Sequence, residues 1–217
     1  MADDSADAPP PPGDNRLGAL ADDLADRGWS ILDGWPDPVL VAALADAARR
    51  HHAADDTRVA AVGRSDEAVV DRSLRRAEIR WLEGADPLEA RFLAAAETLR
   101  LALNARLFLG LFAFEACYAV YPPGGFYARH ADALRGQRNR IVSLVTYLNP
   151  HWDAGQGGAL VIYGRDGARA AAVEPRAGTS VLMLSEEIEH EVRPTAALRL
   201  AVAGWWRVNE GPAAPPA

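Results

Sequence analysis

The sequence predicts a mainly β fold in which N-terminal helices support a double-sheet jelly roll. Two observations carry this prediction. Apolar residues recur at helical spacing up to about residue 111, whereas from Phe112 onward apolar and polar residues tend to alternate. The second half also contains eight short alternating segments separated by Gly, Pro, Asn and Asp, the pattern of closely spaced antiparallel strands. A chain of 217 residues is long enough for one domain with a full core.

Three helices and one short strand are expected before these segments. Leucines at helical spacing from Leu17 to Leu24 predict the first helix, and Gly28 ends it. The strand "WSIL" follows, and an apolar stripe in "PDPVLVAALADAARRHHA" indicates the second helix, with prolines at its start. Asp86-Pro87 begins the third helix, because an aspartate cap followed by proline is a common helix start.

The predicted strands of the second half are "FEACYAVY", "FYARHAD", "IVSLVTYL", "GALVIY", "AAAVEP", "SVLMLS", "HEVRP" and "RLAVAGWWRV". With the helices they form one expected domain over residues 15–208, in which 15–111 give helical support and 112–208 the β core. Residues 1–14 and 209–217 are rich in Pro, Ala and acidic residues, so disordered tails are expected there.

The composition favours a soluble, cytoplasmic protein. The formal net charge is −7, which argues against non-specific binding of nucleic acid. Cys117 is the only cysteine, so no internal disulfide can form and a reducing compartment is expected. The acidic, proline-rich start lacks the pattern of a signal peptide, and no apolar run reaches membrane-spanning length. We therefore expect neither a nucleic-acid nor a membrane partner.

Two His-x-Asp pairs stand out, His130/Asp132 and His151/Asp153. Alternate residues of a strand point to the same face, so a strand through "YARHAD" would present His130 and Asp132 together. The second pair follows the Asn-Pro turn of "NPHWDAG", where strand alternation no longer fixes both side chains on one face. The first pair is therefore the better candidate for a metal site.

A single His-x-Asp pair is a weak signal, because His130 alone also fits a hydrogen-bonded histidine at a barrel mouth and Asp132 a turn residue. His190 strengthens it. This histidine lies in "SEEIEHEVRPT", after the four intervening strands that return a jelly roll to the same end. Two histidines and one carboxylate form the facial triad that holds non-haem Fe(II) and leaves positions open. The predicted metal ligands are His130, Asp132 and His190.

The last predicted strand offers a pocket for a carboxylate. Arg199, Ala201, Ala203 and Trp205 share one face of it. An arginine followed by two small residues leaves a hollow with a guanidinium at its end, which suits a bidentate hold on a buried carboxylate. The alternative is a surface arginine near the start of a strand.

Two tyrosines would complete this pocket. Tyr147 shares a strand face with Ser143 and Val145, so its hydroxyl would reach the same carboxylate. Tyr121, just before "PPGG", would hydrogen-bond the same small molecule or else serve as an aromatic residue of the rim.

Four stretches resemble the catalytic domain of the prolyl hydroxylases that sense oxygen in animals, and that of their bacterial relatives: "IRWLEG", "YPPGGFYARHADA", "VTYLNPHWDAGQGGALVIY" and "HEVRPTAALRLAVAGWW". The similarity covers roughly residues 17–208 and is strongest over 118–207. It implies a double-stranded β-helix and an enzyme that uses Fe(II), 2-oxoglutarate and O2, with ascorbate supporting its activity. The positions of the family that match His130, Asp132 and His190 hold the iron.

The resemblance also implies roles in binding the cosubstrate. The positions that match Arg199 and Tyr147 bind the C5 carboxylate of 2-oxoglutarate in the family. Tyr121 would contact the cosubstrate near the metal, and Trp205 would line its pocket. Collagen-type prolyl hydroxylases usually have lysine at the position of Arg199, so at this position the chain resembles the oxygen-sensing branch.

The implied reaction is hydroxylation of a prolyl residue in an exposed loop of a protein, with release of succinate and CO2. The resemblance to the bacterial branch makes elongation factor Tu the first candidate substrate. The nearest alternative is the same chemistry on a free amino acid, a small molecule or another protein side chain. A cupin-like sensor that holds metal without turnover and a jelly-roll interaction domain without iron are further alternatives. Arg199 and Tyr147 argue against a mere metal binder.

Two departures from the family pattern bear on these expectations. Relatives tend to read Arg-Gly-Asp ahead of the "IRWLEG"-like strand, where this chain has Arg75-Arg76-Ala77, and Ala203 replaces a threonine of the last strand. The first departure adjoins the stretch "AVGRSDEAVVDRSLRR", which in relatives closes over the peptide substrate. Arginines near the expected mouth would dock an acidic protein surface or form a solvated rim. They are Arg129, Arg135, Arg138 and Arg140.

Overall fold

The computed structural model describes residues 13–60, 71–133 and 139–209. Its helices are α1 (Gly13–Arg27), α2 (Pro38–Ala53) and α3 (Pro87–Leu107). Its strands are β1 (Trp29–Asp33), β2 (Arg58–Val59), β3 (Arg75–Arg76), β4 (Glu78–Trp81), β5 (Ala113–Tyr121), β6 (Phe126–His130), β7 (Arg140–Tyr147), β8 (Leu160–Tyr163), β9 (Arg169–Val173), β10 (Thr179–Leu184), β11 (His190–Val192) and β12 (Arg199–Arg207). A short 3-10 helix spans Ala154–Gln156.

The strands form two antiparallel sheets. The larger sheet has the order β1-β10-β7-β12-β5-β4-β2, and the smaller one the order β3-β6-β11-β8-β9. From β5 onward the strands alternate between the sheets, as they do in a jelly roll, except that β8 and β9 pair as a hairpin within the smaller sheet. The predicted fold class, a double-stranded β-helix with supporting helices, is confirmed.

Each face of the larger sheet has its own apolar core, and strand alternation assigns the residues of β12 to one or the other. Leu200, Val202 and Trp206 point to the helices, where they join a core that includes Leu44 and Phe92. The intervening residues of β12 point into the space between the two sheets. The candidate site opens from this inner space.

The second and third helices begin where the sequence predicts, whereas α1 begins at Gly13, four residues before Leu17. Asp37 accepts hydrogen bonds from the amides of Val39 and Leu40 at 2.9 and 3.1 Å, directly before the proline that starts α2. Asp86 caps α3 in the same way. These carboxylates satisfy amides that have no partner inside the helix. None of the helices in the described ranges is both long and apolar enough to cross a membrane.

The sequence did not predict the strands β2 and β3, which have two residues each. Such short segments carry no readable alternation. Residues 1–12 and 210–217 lie outside the described residues, so the expected tails and domain limits stay predictions.

Candidate active site

Two histidines lie directly opposite each other in the smaller sheet. The antiparallel register of β6 and β11 pairs His130 with His190, and their ring centroids are 4.4 Å apart. Both side chains are largely buried, with 17% and 6% of their surface exposed. Strand pairing therefore joins two imidazoles that are far apart in the chain.

A carboxylate completes the cluster. Asp132 Oδ1 lies 3.5 Å from His130 Nε2, and Asp132 Oδ2 lies 3.7 Å from His190 Nε2. The three groups can offer ligand atoms that all lie within 4.8 Å of one another. The structure thus brings together the three residues that the sequence predicted as metal ligands.

Alternation along a strand is not what orients Asp132, because β6 ends at His130. Asp132 lies in the bend that follows, and the Ser143 hydroxyl on β7 donates a 2.6 Å hydrogen bond to its Oδ2. Ser143 Oγ is also 2.8 Å from Ser185 Oγ. The predicted strand through Asp132 was therefore too long by two residues, and side-chain hydrogen bonding fixes the carboxylate instead.

Backbone carbonyls determine which nitrogen of each histidine faces the cluster. His130 Nδ1 donates to the Ala128 carbonyl at 2.8 Å, and His190 Nδ1 to the Ile188 carbonyl at 3.3 Å. A carbonyl only accepts, so Nδ1 carries the proton and the lone pair of Nε2 is free for a metal. This arrangement is typical of histidine ligands.

The ionisation states also suit a cation. Burial lowers the pKa of His190 to about 4, so its imidazole is neutral at pH 7. Burial acts to raise the pKa of Asp132, but His190, His130 and the Ser143 hydroxyl outweigh it and hold that pKa well below its usual range. A neutral imidazole at His190 beside an ionised Asp132 carboxylate matches the protonation states that metal ligation requires.

A second polar group lies deeper between the sheets, on β12. Arg199 pairs with Tyr121 of β5, and its Nε donates to the Gly158 carbonyl at 2.8 Å. Its guanidinium carbon lies 4.8 Å from the ring centre of Tyr121 and 5.2 Å from that of Tyr147. Only 1% of Arg199 is exposed, so it is not the surface arginine of the alternative interpretation.

Two buried donors in this pocket have no hydrogen-bond partner among the described residues, Arg199 Nη2 and the Tyr147 hydroxyl. Burial raises the pKa of Tyr147, so the phenol keeps its proton and can donate. Buried donors without a partner are rare and costly, and they indicate a missing acceptor. A carboxylate between these groups would satisfy both.

The inner face of β12 connects this pocket to the cluster. Ala201 and Ala203 follow Arg199 at alternate positions, and Trp205 closes the row. Trp205 lies opposite Ser143 in the pairing of β12 with β7, next to the serine that holds Asp132. Ala201 and Ala203 are thus the small residues that separate the guanidinium from the end of β12 next to the cluster.

The other His-x-Asp pair lies away from this cluster. His151 and Asp153 are exposed on the loop after β7, whereas Trp152 between them is buried and donates to the Gly157 carbonyl at 3.0 Å. The loop assignment made from the Asn-Pro turn agrees with this position.

The arginines expected at the mouth differ in their contacts. Arg129 forms an ion pair with Glu189 on the surface. Arg140 pairs with Glu115 at 2.7 Å, and its guanidinium carbon lies 4.0 Å from the ring centre of Trp205, so it packs against that ring. Arg135 and Arg138 lie outside the described residues.

The sequence did not predict the roles of three further residues at the site. Ser143 was noticed only for sharing a face with Tyr147, although that face already placed its hydroxyl toward the pocket. Tyr127 stacks on His130 with ring centroids 3.6 Å apart, and its position two before Arg129 gave no sign of this. Gly158 approaches Arg199 closely at a positive φ of 69°, for which the Gly-Gly pair of "QGGAL" was the available signal.

The chain is similar to several known proteins. The family model described as the 2OG-Fe(II) oxygenase superfamily matches residues 116–207. The crystal structure of a Pseudomonas putida prolyl-4-hydroxylase is 41% identical, covers 89% of this chain and 99% of its own, and superposes with a TM-score of 0.79.

Two human proteins are similar over most of the chain. Egl nine homolog 1 is 32% identical over 143 residues, which are 62% of this chain and 33% of that protein. Prolyl hydroxylase EGLN3 is 29% identical over 191 residues, which are 84% of this chain and 80% of that protein. The chain therefore spans about a third of Egl nine homolog 1 and most of EGLN3. It belongs to the 2OG-Fe(II) oxygenase superfamily, among the prolyl hydroxylases and in their bacterial branch.

Proposed function

We propose that this protein is an Fe(II)- and 2-oxoglutarate-dependent dioxygenase that hydroxylates a prolyl residue of a protein. The observation that carries the proposal is a pair of buried donors without a partner among the described residues, Arg199 Nη2 and the Tyr147 hydroxyl, in a fold that also assembles a two-histidine, one-carboxylate cluster. A metal-binding sensor or an interaction domain has no use for such a carboxylate pocket.

Iron would be held by His130 and His190 through Nε2 and by Asp132 through its carboxylate. When bound, Fe(II) supplies the oxygen chemistry by which O2 and 2-oxoglutarate yield succinate and CO2 while a C–H bond becomes C–OH. The protein contributes the positions of the ligands. The carbonyls of Ala128 and Ile188 orient the imidazoles, and the Ser143 hydroxyl orients the carboxylate.

Arg199 and Tyr147 would hold the C5 carboxylate of 2-oxoglutarate. The guanidinium Nη2 and the phenol hydroxyl would each donate one hydrogen bond, and charge-assisted bonds of this kind are the stronger ones. The two alanines of β12 would leave room for the carbon chain. Tyr121 would contact the cosubstrate near the metal, and Trp205 would line the pocket and exclude water.

The proposed substrate is a prolyl residue in an exposed protein loop, in line with the names of the similar proteins. Elongation factor Tu is the first candidate, and it rests on the resemblance to the bacterial branch alone. Free proline and small molecules are the competing substrates, and the same assay includes them.

The test measures succinate formed from 2-oxoglutarate under air with Fe(II) and ascorbate, with recombinant elongation factor Tu, with free proline, and with neither. Mass spectrometry would locate an added oxygen on a proline. Succinate that rises with the protein substrate, together with that modification, establishes reaction and target. Succinate without a modified proline would support oxygenase activity but reject elongation factor Tu as the substrate. Absence of both bound iron and succinate would reject the proposed function.

A further inference from the structure

A small basic groove lies between strand β3 and the turn that links β5 to β6. Its volume is about 230 Å³, and three arginines line it together with the turn residues 122–125. The three are Arg72, Arg75 and Arg76. Pockets that enclose whole small molecules usually measure about 300–1,000 Å³, so this groove suits one or two side chains of a larger ligand.

The groove adjoins the proposed iron site through one aromatic ring. The guanidinium carbon of Arg75 lies 4.5 Å from the ring centre of Tyr127, and the same ring stacks on His130 with centroids 3.6 Å apart. An extended peptide advances about 3.3 Å per residue. A residue two or three positions from a proline at the metal would therefore reach the groove.

No ion pair with the described residues neutralises the charges of Arg72 and Arg76. Arg75 stacks over Tyr127 and interacts with the charge of Asp132, but its buried Nε has no hydrogen-bond partner among the described residues. The one carboxylate that lines the groove is already engaged, since Glu78 Oε2 accepts from Thr57 Oγ1 at 2.6 Å and lies 2.9 Å from a nitrogen of His52. A buried guanidinium nitrogen without an acceptor points to a ligand that supplies one.

The opposite wall of the groove is held in place by the backbone. Gly124 donates to the Thr195 carbonyl at 2.7 Å, and Thr195 donates to the Gly125 carbonyl at 3.0 Å. A Cβ on Gly125 would come within 2.9 Å of the Arg76 carbonyl, so the chain approaches closely here. The groove is therefore formed before a ligand arrives.

We propose that this groove is a specificity subsite that binds an acidic side chain of the protein substrate, two or three residues from the hydroxylated proline. The proposal rests on the proposed function. Three guanidinium groups that form no ion pair with the described residues, beside a backbone-held wall, select a carboxylate and discriminate against an amide of equal size. Salt weakens such a preference, because two of the three arginines are exposed.

The test compares fluorescently labelled prolyl peptides in which one Glu, or one Gln, is moved stepwise away from the proline. Binding is measured by anisotropy with Mn(II) and 2-oxoglutarate under nitrogen, which prevents turnover. The wild-type protein should bind one Glu peptide about tenfold more tightly than its Gln match. Arg72→Gln/Arg76→Gln should abolish this difference and leave the affinity for the Gln peptide nearly unchanged.

Arg169→Gln is the matched control. Arg169 is also an exposed strand arginine, but it lies on β9 at the opposite edge of the same sheet from β3, so its loss should leave the preference intact. The proposal is overturned if the wild type binds Glu and Gln peptides equally. It is also overturned if the double variant keeps the preference, or if a single-stranded oligonucleotide displaces the peptide better than unlabelled peptide does. Failure of the proposed function appears separately, as absence of hydroxylation and of stimulated succinate with every peptide.

Discussion

The Ser143 hydroxyl donates a 2.6 Å hydrogen bond to Asp132 Oδ2 from the neighbouring sheet. The carboxylate lies just past the end of β6, where no strand pairing holds it. Ser143 is almost fully buried on the paired strand β7 and contacts Ser185 on its other side. The position of a proposed metal ligand thus depends on a serine from a different sheet.

Removal of this hydroxyl should weaken metal binding more than folding. Ser143→Ala leaves Asp132 without its anchor, and loss of such a supporting hydrogen bond typically lowers metal affinity about 10- to 100-fold. Titration of the protein with Fe(II) under nitrogen, or with Mn(II), gives the affinity, and circular dichroism checks the fold. Unchanged affinity in the folded variant would show that Asp132 is held by other means.

The two His-x-Asp pairs provide an internal comparison. Asp132→Ala should remove metal binding and substrate-dependent succinate, because it deletes one of three proposed ligands. Asp153→Ala changes the same residue type in the same local pattern, but on an exposed loop, and should leave both unchanged. The metal content of each purified variant shows which aspartate binds the metal. Equal metal content in the two variants would contradict the assignment of the site.

The sequence predicted which residues form the site, but not the strand pairing that brings them together. Alternation placed Arg199, Ala201, Ala203 and Trp205 on one face because that period is local. Alternation does not predict which residues of two strands lie opposite each other. The pairing of His130 with His190, and of Arg199 with Tyr121, depends on contacts between strands that are far apart in the chain.

The features missed by the sequence share a physical cause. Neither the anchoring role of Ser143 nor the stacking of Tyr127 can be distinguished from the local sequence of any other strand residue. The two-residue strand β3 carries no alternation, so the arginines beside it looked like part of a surface loop. Arg140 looked like a rim residue, and its ion pair with Glu115 crosses β12, because Glu115 lies on β5, two strands away in the larger sheet.

Arg199 should govern the requirement for 2-oxoglutarate. Arg199→Ala removes one partner of the proposed C5 carboxylate, and hydrogen bonds to charged groups contribute about 1.5–3 kcal/mol. We expect the KM for 2-oxoglutarate to rise about 10- to 100-fold. Arg199→Lys keeps the positive charge but loses the planar guanidinium that donates two parallel hydrogen bonds, so the KM for 2-oxoglutarate should rise less. Steady-state kinetics with 2-oxoglutarate as the varied reactant measures both values, and an unchanged KM in Arg199→Ala would reject the pocket.

Cys117 should be chemically inert in the folded protein. It is fully buried, and burial raises the pKa of its thiol to about 12, so at pH 8 almost no thiolate forms. Thiol reagents need both the thiolate and access. Ellman's reagent should therefore release almost no colour from the native protein at pH 8 and one equivalent after unfolding in guanidinium chloride. A rapid reaction of the native protein would show that the inner core opens readily.

Gly158 should tolerate no side chain. Its φ of 69° lies in the left-handed region, and an added Cβ would approach a ring carbon of Trp152 to 3.0 Å and Arg199 Cδ to 3.2 Å. The backbone strain alone costs about 1–2 kcal/mol in Gly158→Ala. Displacement of Arg199 should also raise the KM for 2-oxoglutarate.

Gly18→Ala is the matched control. No atom lies within 4 Å of a Cβ added at Gly18 in the middle of α1, and alanine favours a helix by about 1 kcal/mol over glycine. Thermal unfolding should therefore show opposite shifts, a lower midpoint for Gly158→Ala and a higher one for Gly18→Ala. A midpoint for Gly158→Ala equal to that of the wild type would show that the loop moves away from Arg199 without cost.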